Sequence, residues 1–221
     1  PTLDANRPAK ELLPKTPHVR VPELKSKLKP CFTLAQCQSI LAATETIDVP
    51  TLPGIAPREW WRGRLATHFY TGQRSGTIRL LKWEHVAVDE QGQHWLEIPP
   101  ELVTKTQKET RVIVHPLLLE AWQATRRTES PQEPLSPQPH CNRWIQELHE
   151  RLQKRAGIPE AKWLSPHAWR RTHSDQLAQL GLNAVADLCR SALDHSDART
   201  TTGHYVDVLN KFRLKLPALW Q

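Results

Sequence analysis

The sequence predicts an α+β fold, mostly α, with one small antiparallel sheet. Three observations carry that expectation. Apolar residues recur at helical spacing in several stretches, each bounded by cap or stop residues. One central block, from His85 to Val114, reads as strands around a Gln91-Gly92 turn. No internal repeat appears, and 221 residues suffice for one good-sized core or two small ones.

Residues 1–30 hold six prolines among charges and read as an extended arm or linker. Order is expected from Thr33. Thr33-Leu-Ala-Gln36 is a capping-box pattern, in which hydroxyl and amide side chains satisfy free helix N–H groups. That helix should run to about Ala43 and bury Leu34, Ile40 and Leu41. A Pro/Gly stretch over 50–57 breaks it, and Pro57 suits the start of a second helix. Trp61, Leu65 and Phe69 then form an apolar stripe at four-residue spacing. Gly72 can end the helix in a left-handed conformation. Ile78 and Leu81 suggest a short helix that carries Arg74 at its start.

The residues 85–89 and 95–98 read as a hairpin. Val103 to Thr106 and Arg111 to Val114 read as further strand pairing, with Lys105 near the turn. Leu117 to Trp122 begins a helix. Residues 126–140 carry four prolines (Pro131, Pro134, Pro137, Pro139) and read as a long, flexible, Pro-rich insertion. Trp144, Ile145, Leu148 and Leu152 mark a helix that Gly157 and Pro159 should stop. Ser165-Pro166 suits an N-cap and first position, which places His167 and Arg170 in the first turn of the next helix, on one face. Leu177, Leu180 and Gly181 mark its far end. A helix over 184–193 and a tail with Val206, Leu209, Phe212 and Leu216 at helical spacing complete the chain.

The chain has 30 Lys+Arg against 23 Asp+Glu, a formal +7, and the first thirty residues supply +4 of it. Such a balance suits a polyanion, because phosphate contacts release counterions. Four cysteines without a Cys-x-x-Cys pair suggest structural thiols in a reducing interior, hence a cytoplasmic setting. No run of about 18 apolar residues exists, so no membrane span is expected.

Chemistry enters with six residues: Arg74 in Thr-Gly-Gln-Arg, Lys105 in Thr-Lys-Thr, His167 and Arg170 in His-Ala-Trp-Arg, His195 in Leu-Asp-His-Ser, and Tyr205 in Thr-Thr-Gly-His-Tyr. Phosphoryl transfer needs charge stabilisation on non-bridging oxygens, a nucleophile, and a proton for the leaving oxygen. Arginine grips two oxygens at once and stays charged. Lysine can donate a proton, histidine can hydrogen-bond phosphate or move a proton near neutral pH, and tyrosine can form a covalent ester. This logic requires no metal, nucleotide or other cofactor.

Taken in order, these boxes resemble the catalytic domain of the tyrosine recombinases, the phage-integrase family of DNA strand-exchange enzymes, over roughly Thr33 to Tyr205. The resemblance implies that residues 31–221 form that catalytic domain and act on double-stranded DNA through a 3′-phosphotyrosyl intermediate. It implies a tetramer on DNA and a monomer free of it. Arg74, Arg170, His167 and His195 would surround the phosphate. Lys105 would be the general acid and Tyr205 the nucleophile. Leu81-Lys82-Trp83 matches the family's Leu-x-Trp.

Departures stand beside these matches. The acidic residue the family places three after the first arginine is Thr77, the Gly of Leu-Gly-His is Asp194, and His195 to Tyr205 is one residue longer than usual. A cleavage-inactive DNA-binding relative and a type IB topoisomerase-like enzyme therefore remain alternatives. A helix-turn-helix regulator explains the charge but not the ordered set. A zinc site from His167, His173, His195 and His204 lacks the close pairs zinc favours.

Overall fold

Thr33 does close a capping box: its hydroxyl accepts from the Gln36 amide, and the Gln36 side chain accepts from the Thr33 amide. Helix α1 follows over Leu34–Ala43 and buries Cys37, Ile40, Leu41 and Ala43, while Leu34 is only partly covered. The computed structural model describes residues 29–102, 109–137, 142–181, 210 and 212–220. The expected arm, apart from Lys29 and Pro30, lies outside them.

Helix α2, Pro57–Thr71, is the axis of the domain. Proline opens it where its missing N–H costs nothing, and Gly72 closes it at φ 66°. Trp60, Trp61, Leu65, Ala66, Phe69 and Tyr70 are each no more than 1% exposed, so the helix is wrapped on all sides. Burying each large side chain contributes about 1.5–3 kcal/mol. Helix α3 is Ser75–Leu80, α4 is Pro116–Gln123, α5 is Asn142–Arg155 and α6 is Ala168–Gln179. Helices α4 and α6 pack on α2, while α1 rests on α5. The α2–α4 approach is close at Gly63, where an added methyl would sit 3.5 Å from the Ala121 carbonyl. Thr67 on α2 joins the pair by donating to the Gly63 carbonyl (2.6 Å) and accepting from Trp122 Nε1 (2.8 Å).

Strands β1 (Val86–Val88), β2 (His94–Ile98) and β3 (Thr110–Ile113) form one antiparallel sheet in the order β1-β2-β3. Val86 pairs with Leu96 and Trp95 with Ile113. Asp89 shapes the first turn by accepting from the Gln91 and Gln93 amides and from Trp95 Nε1 (2.7 Å), and Gly92 supplies φ 77°. Leu96, Ile98 and Val112 turn inward to the core. Residues 103–108, with the expected Lys105 turn, lie outside the described residues. Just before them, Pro100–Leu102 forms a 3-10 turn.

The flexible insertion expected over 126–140 is a correction in part: residues 127–132 are exposed, but the segment is tied down, and Glu133, Leu135, Ser136 and Pro137 are buried. Leu135 is buried in the core, and backbone bonds tie Leu135 to Leu81, Glu133 to Trp83 and Pro131 to Glu84. The Glu133 carboxylate accepts from the amides of Arg127 and Thr128, from the Thr128 hydroxyl and from Arg127 Nε. Burial works to raise its pKa, but these bonds outweigh it and hold the carboxyl below its usual value. The prolines that suggested looseness also restrict the unfolded chain, which lowers the entropy lost on ordering.

The tail, left by its sequence between a partner molecule and its own domain, lies on its own domain where it is described. Leu216 and Leu219 are buried. Tyr70 donates its hydroxyl to the Pro217 carbonyl (3.2 Å) and accepts from the Leu219 amide (3.3 Å), and Gln38 Nε2 donates to the Ala218 carbonyl. Val206 and Leu209 of the expected stripe lie outside the described residues, as does the helix expected over 184–193.

One buried charge on α2 stands out. Arg64 is 1% exposed, and its Nε, Nη1 and Nη2 have no hydrogen-bond partner among the described residues. Burial, with Arg79 nearby, pushes its pKa down to about 10, so it is a cation held in the core. A buried group without partners keeps its full desolvation penalty. Arg64→Met should therefore raise the unfolding free energy by about 1–3 kcal/mol, seen in denaturant titration as a higher midpoint at unchanged slope.

Three buried histidines set the acid limit. His68, His149 and His173 have pKa values pushed down, first by burial, to about 4 for His149 and about 3 for His173. The unfolded chain binds their protons near 6.5, so stability falls as pH drops below that value and keeps falling to the folded pKa. Going from pH 7.5 to 5 should remove roughly 2 kcal/mol per buried histidine. Melting temperature against pH checks it; a flat profile across that window contradicts the assignment.

Candidate active site

Arg74, His167 and Arg170 are the expected site residues that the structure describes, and it brings them together. Arg74 is the N-cap of α3, two residues beyond Gly72. The left-handed glycine turns the chain out of α2, so that Arg74 leaves the end of that helix half-buried. His167 and Arg170 come from the start of α6. This start differs from expectation: the Ser165 side chain makes no cap. Instead the Ser165 and Pro166 carbonyls accept from Ala168 and Trp169 in a turn, and His167 becomes the N-cap position. The helical spacing is kept, and His167 is exposed while Arg170 is half-buried beneath it.

Two bonds fix α6 on the end of α2. Arg170 Nη1 donates to the Gly72 carbonyl, and His173 Nδ1 donates to the Phe69 carbonyl (2.6 Å). The fit leaves no room at Gly72. A Cβ there would lie 2.5 Å from His173 Cδ2, and the positive φ already disfavours one. A third histidine holds the exit from α2: His68 Nδ1 donates to the Gln73 carbonyl (3.0 Å), while Nε2 accepts from Ser75 (3.3 Å). His68 and His173 thus position Arg74 and Arg170 from below. Nothing in their sequence spacing marks them; apolar text around His68 was an available signal, whereas His173 lies in the polar run Arg-Thr-His-Ser-Asp and carries none.

The electrostatics are one-sided. Among the described residues neither Arg74 nor Arg170 forms a salt bridge with a carboxylate. Burial, and then the repulsion of Arg74, lower the Arg170 pKa, though a guanidinium keeps its charge at neutral pH. His167 is pushed down by burial and by Arg171, Arg170, Arg74 and Lys29, so it is neutral at pH 7. Two cations held close without counter-ions, beside a neutral imidazole with a free hydrogen-bonding edge, form a receptor for a tetrahedral anion.

Thr77 is buried and donates to the Leu102 carbonyl (3.2 Å), one residue before the segment that carries Lys105. The departure at this position thus replaces a charge by a neutral link between α3 and the base of that segment. Lys105, His195 and Tyr205 lie outside the described residues.

A helical domain with one three-stranded antiparallel sheet, and two arginines converging from the α2–α3 turn and the start of α6, has the fold of a tyrosine recombinase catalytic domain. The chain belongs to the phage integrase family, whose model matches residues 32–211. Among solved structures it is similar to the XerH site-specific recombinase bound to its difH substrate in a pre-cleavage complex, with a TM-score of 0.51 and 17% identity. The match covers 82% of this chain and 51% of that one, so the chain spans about half the length of that recombinase. No curated protein sequence matches it.

Gly72→Ala tests the α2–α6 joint. It should destabilise the domain by about 2–4 kcal/mol and weaken anion binding at Arg170, since His173 must move. Thermal melts with and without inorganic phosphate read both effects.

Proposed function

We propose that this chain is the catalytic domain of a site-specific DNA recombinase that cuts and rejoins double-stranded DNA. The observation that carries the proposal is the pair of unneutralised guanidiniums, Arg74 and Arg170, held 96 positions apart in sequence at one anion site with His167. The domain is 31–221, preceded by a basic arm over 1–30. The working assembly is a homotetramer on DNA, with a monomer free of it.

In the mechanism, Arg74 and Arg170 hold the non-bridging oxygens of one phosphodiester, where charge grows in the transition state. The Tyr205 oxygen attacks phosphorus, and its proton passes to a histidine, His167 or His195. The bond to the 5′-oxygen breaks, and Lys105 supplies the proton that oxygen needs. The product is a 3′-phosphotyrosyl ester and a free 5′-hydroxyl. Attack by the 5′-hydroxyl of another strand reverses the step and restores Tyr205. Tyr70, the other tyrosine, is buried with its hydroxyl bonded to the tail and its pKa pushed up by burial, which supports Tyr205 as the nucleophile.

A second reading is favoured by one observation. Thr77 leaves Arg74 without the acidic neighbour usual in the family, which suits a relative that binds DNA without cleaving it. A nicked suicide duplex decides between them. The active reading expects a covalent protein–DNA adduct that Tyr205→Phe abolishes and that Arg170→Ala reduces about 100-fold or more. An adduct surviving in Tyr205→Phe overturns the nucleophile, and no adduct from DNA-bound wild-type protein selects the inactive reading.

A further inference from the structure

The chain enters the domain as a strap across α6. The Phe32 amide donates to the Thr172 hydroxyl (2.9 Å), and Arg171 Nε donates to the Pro30 carbonyl (2.7 Å). Phe32 itself is buried against His149 and Trp169, at ring separations of 5.9 and 5.5 Å. So the residues flanking Arg170 in sequence, Trp169 and Arg171, both hold the entering chain, while Arg170 holds the end of α2. Lys29, the next residue outward, is exposed, and its ammonium has no hydrogen bond or ion pair with the described residues. Arg171 spends only its Nε on the strap. Its Nη1 and Nη2 have no partner among the described residues, and the one carboxylate a turn away, Asp175, accepts from Gln179 rather than pairing with it.

We propose that Lys29 and Arg171 form a second phosphate-binding pair beside the Arg74–Arg170 receptor, gripping a neighbouring phosphate of the same DNA strand. The inference rests on the DNA-binding reading above and adds two residues to it. Three features support it. The strap fixes the Arg171 fork in orientation, so little side-chain freedom is lost on binding. Both cations lie near enough to His167 to disfavour its proton, which places them at the margin of the same site. Neither is neutralised by a carboxylate among the described residues, so a phosphate meets no competitor there. The pair also joins the chain's entry to α6 through one bound strand, since Lys29 belongs to the former and Arg171 to the latter.

Salt titration of binding to a 30-base-pair duplex tests it, using the whole chain. Each phosphate contact contributes about 0.9 to the slope of log affinity against log salt. Lys29→Gln and Arg171→Gln should each reduce that slope by about 0.9, and the double variant by about 1.8. The glutamine amide can still donate to the Pro30 carbonyl, which keeps the strap. Should Arg171→Gln nevertheless lower the melting temperature, Lys29→Gln alone carries the test, because its ammonium holds nothing among the described residues. Unchanged slopes in Lys29→Gln and in a folded Arg171→Gln overturn the proposal. If those slopes are unchanged while Arg74→Gln weakens binding, the DNA-binding reading survives and only the second pair fails. If wild-type protein shows no salt-dependent binding, both fail together.

Discussion

The contact between the C-terminal end of α2 and the first half of α6 is the constraint on which the rest depends. Two carbonyls freed by the ending of α2, those of Phe69 and Gly72, are the acceptors for His173 and Arg170. A helix end must find partners for such carbonyls, and here the partners come from the helix that carries half of the site. Capping one helix and placing Arg170 are the same event. Gly72 makes it possible twice, by its left-handed φ and by the missing Cβ that lets the imidazole approach.

That arrangement explains why buried histidines lie beneath the two arginines. A lysine or arginine in place of His68 or His173 would add to the repulsion that Arg74 and Arg170 already feel, as the buried Arg64 already bears on His68. An aspartate or glutamate would neutralise them and compete with the phosphate. Neutral imidazoles donate to backbone carbonyls without either effect, and burial keeps them neutral. The net result is a floor of dipoles beneath two guanidiniums that form no salt bridge among the described residues.

Much of the fold was legible where local chemistry decides local shape. Thr33 with Gln36, Pro57, Gly72, Gly157 and the Gln91-Gly92 turn each announce a boundary through hydrogen-bond need or permitted φ, and each stands where expected. The start of α6 shifted because Pro166 allows either a first helical residue or a turn, and the Ser165 carbonyl chose the turn. The segment 126–137 was misread because proline content reports lost donors but says nothing of what an acceptor such as Glu133 will collect from elsewhere. Arg64 was invisible for the opposite reason: an arginine in helical text reads as surface, and only packing reveals that α2 has no surface there. Of the site, the His-x-x-Arg spacing and the Thr-Gly-x-Arg turn were legible because each sits in one element. The residues beneath them were not, because they act across elements.

The indole of Trp169 gives the site a built-in optical readout. It lies directly before Arg170 in the chain, is fully buried, and donates its N–H to His149 Nε2 at 2.9 Å. A neutral imidazole accepts that bond and a protonated one cannot, and a charged imidazole beside an indole quenches its emission. The ring also packs against Phe32 of the strap and Phe69 of α2. Any shift of α6 relative to either neighbour changes the polarity and collision partners that the excited ring meets. The protein therefore carries, one residue from Arg170, an intrinsic fluorophore that reports the state of the joint without any label once the emission of the other eight tryptophans is subtracted.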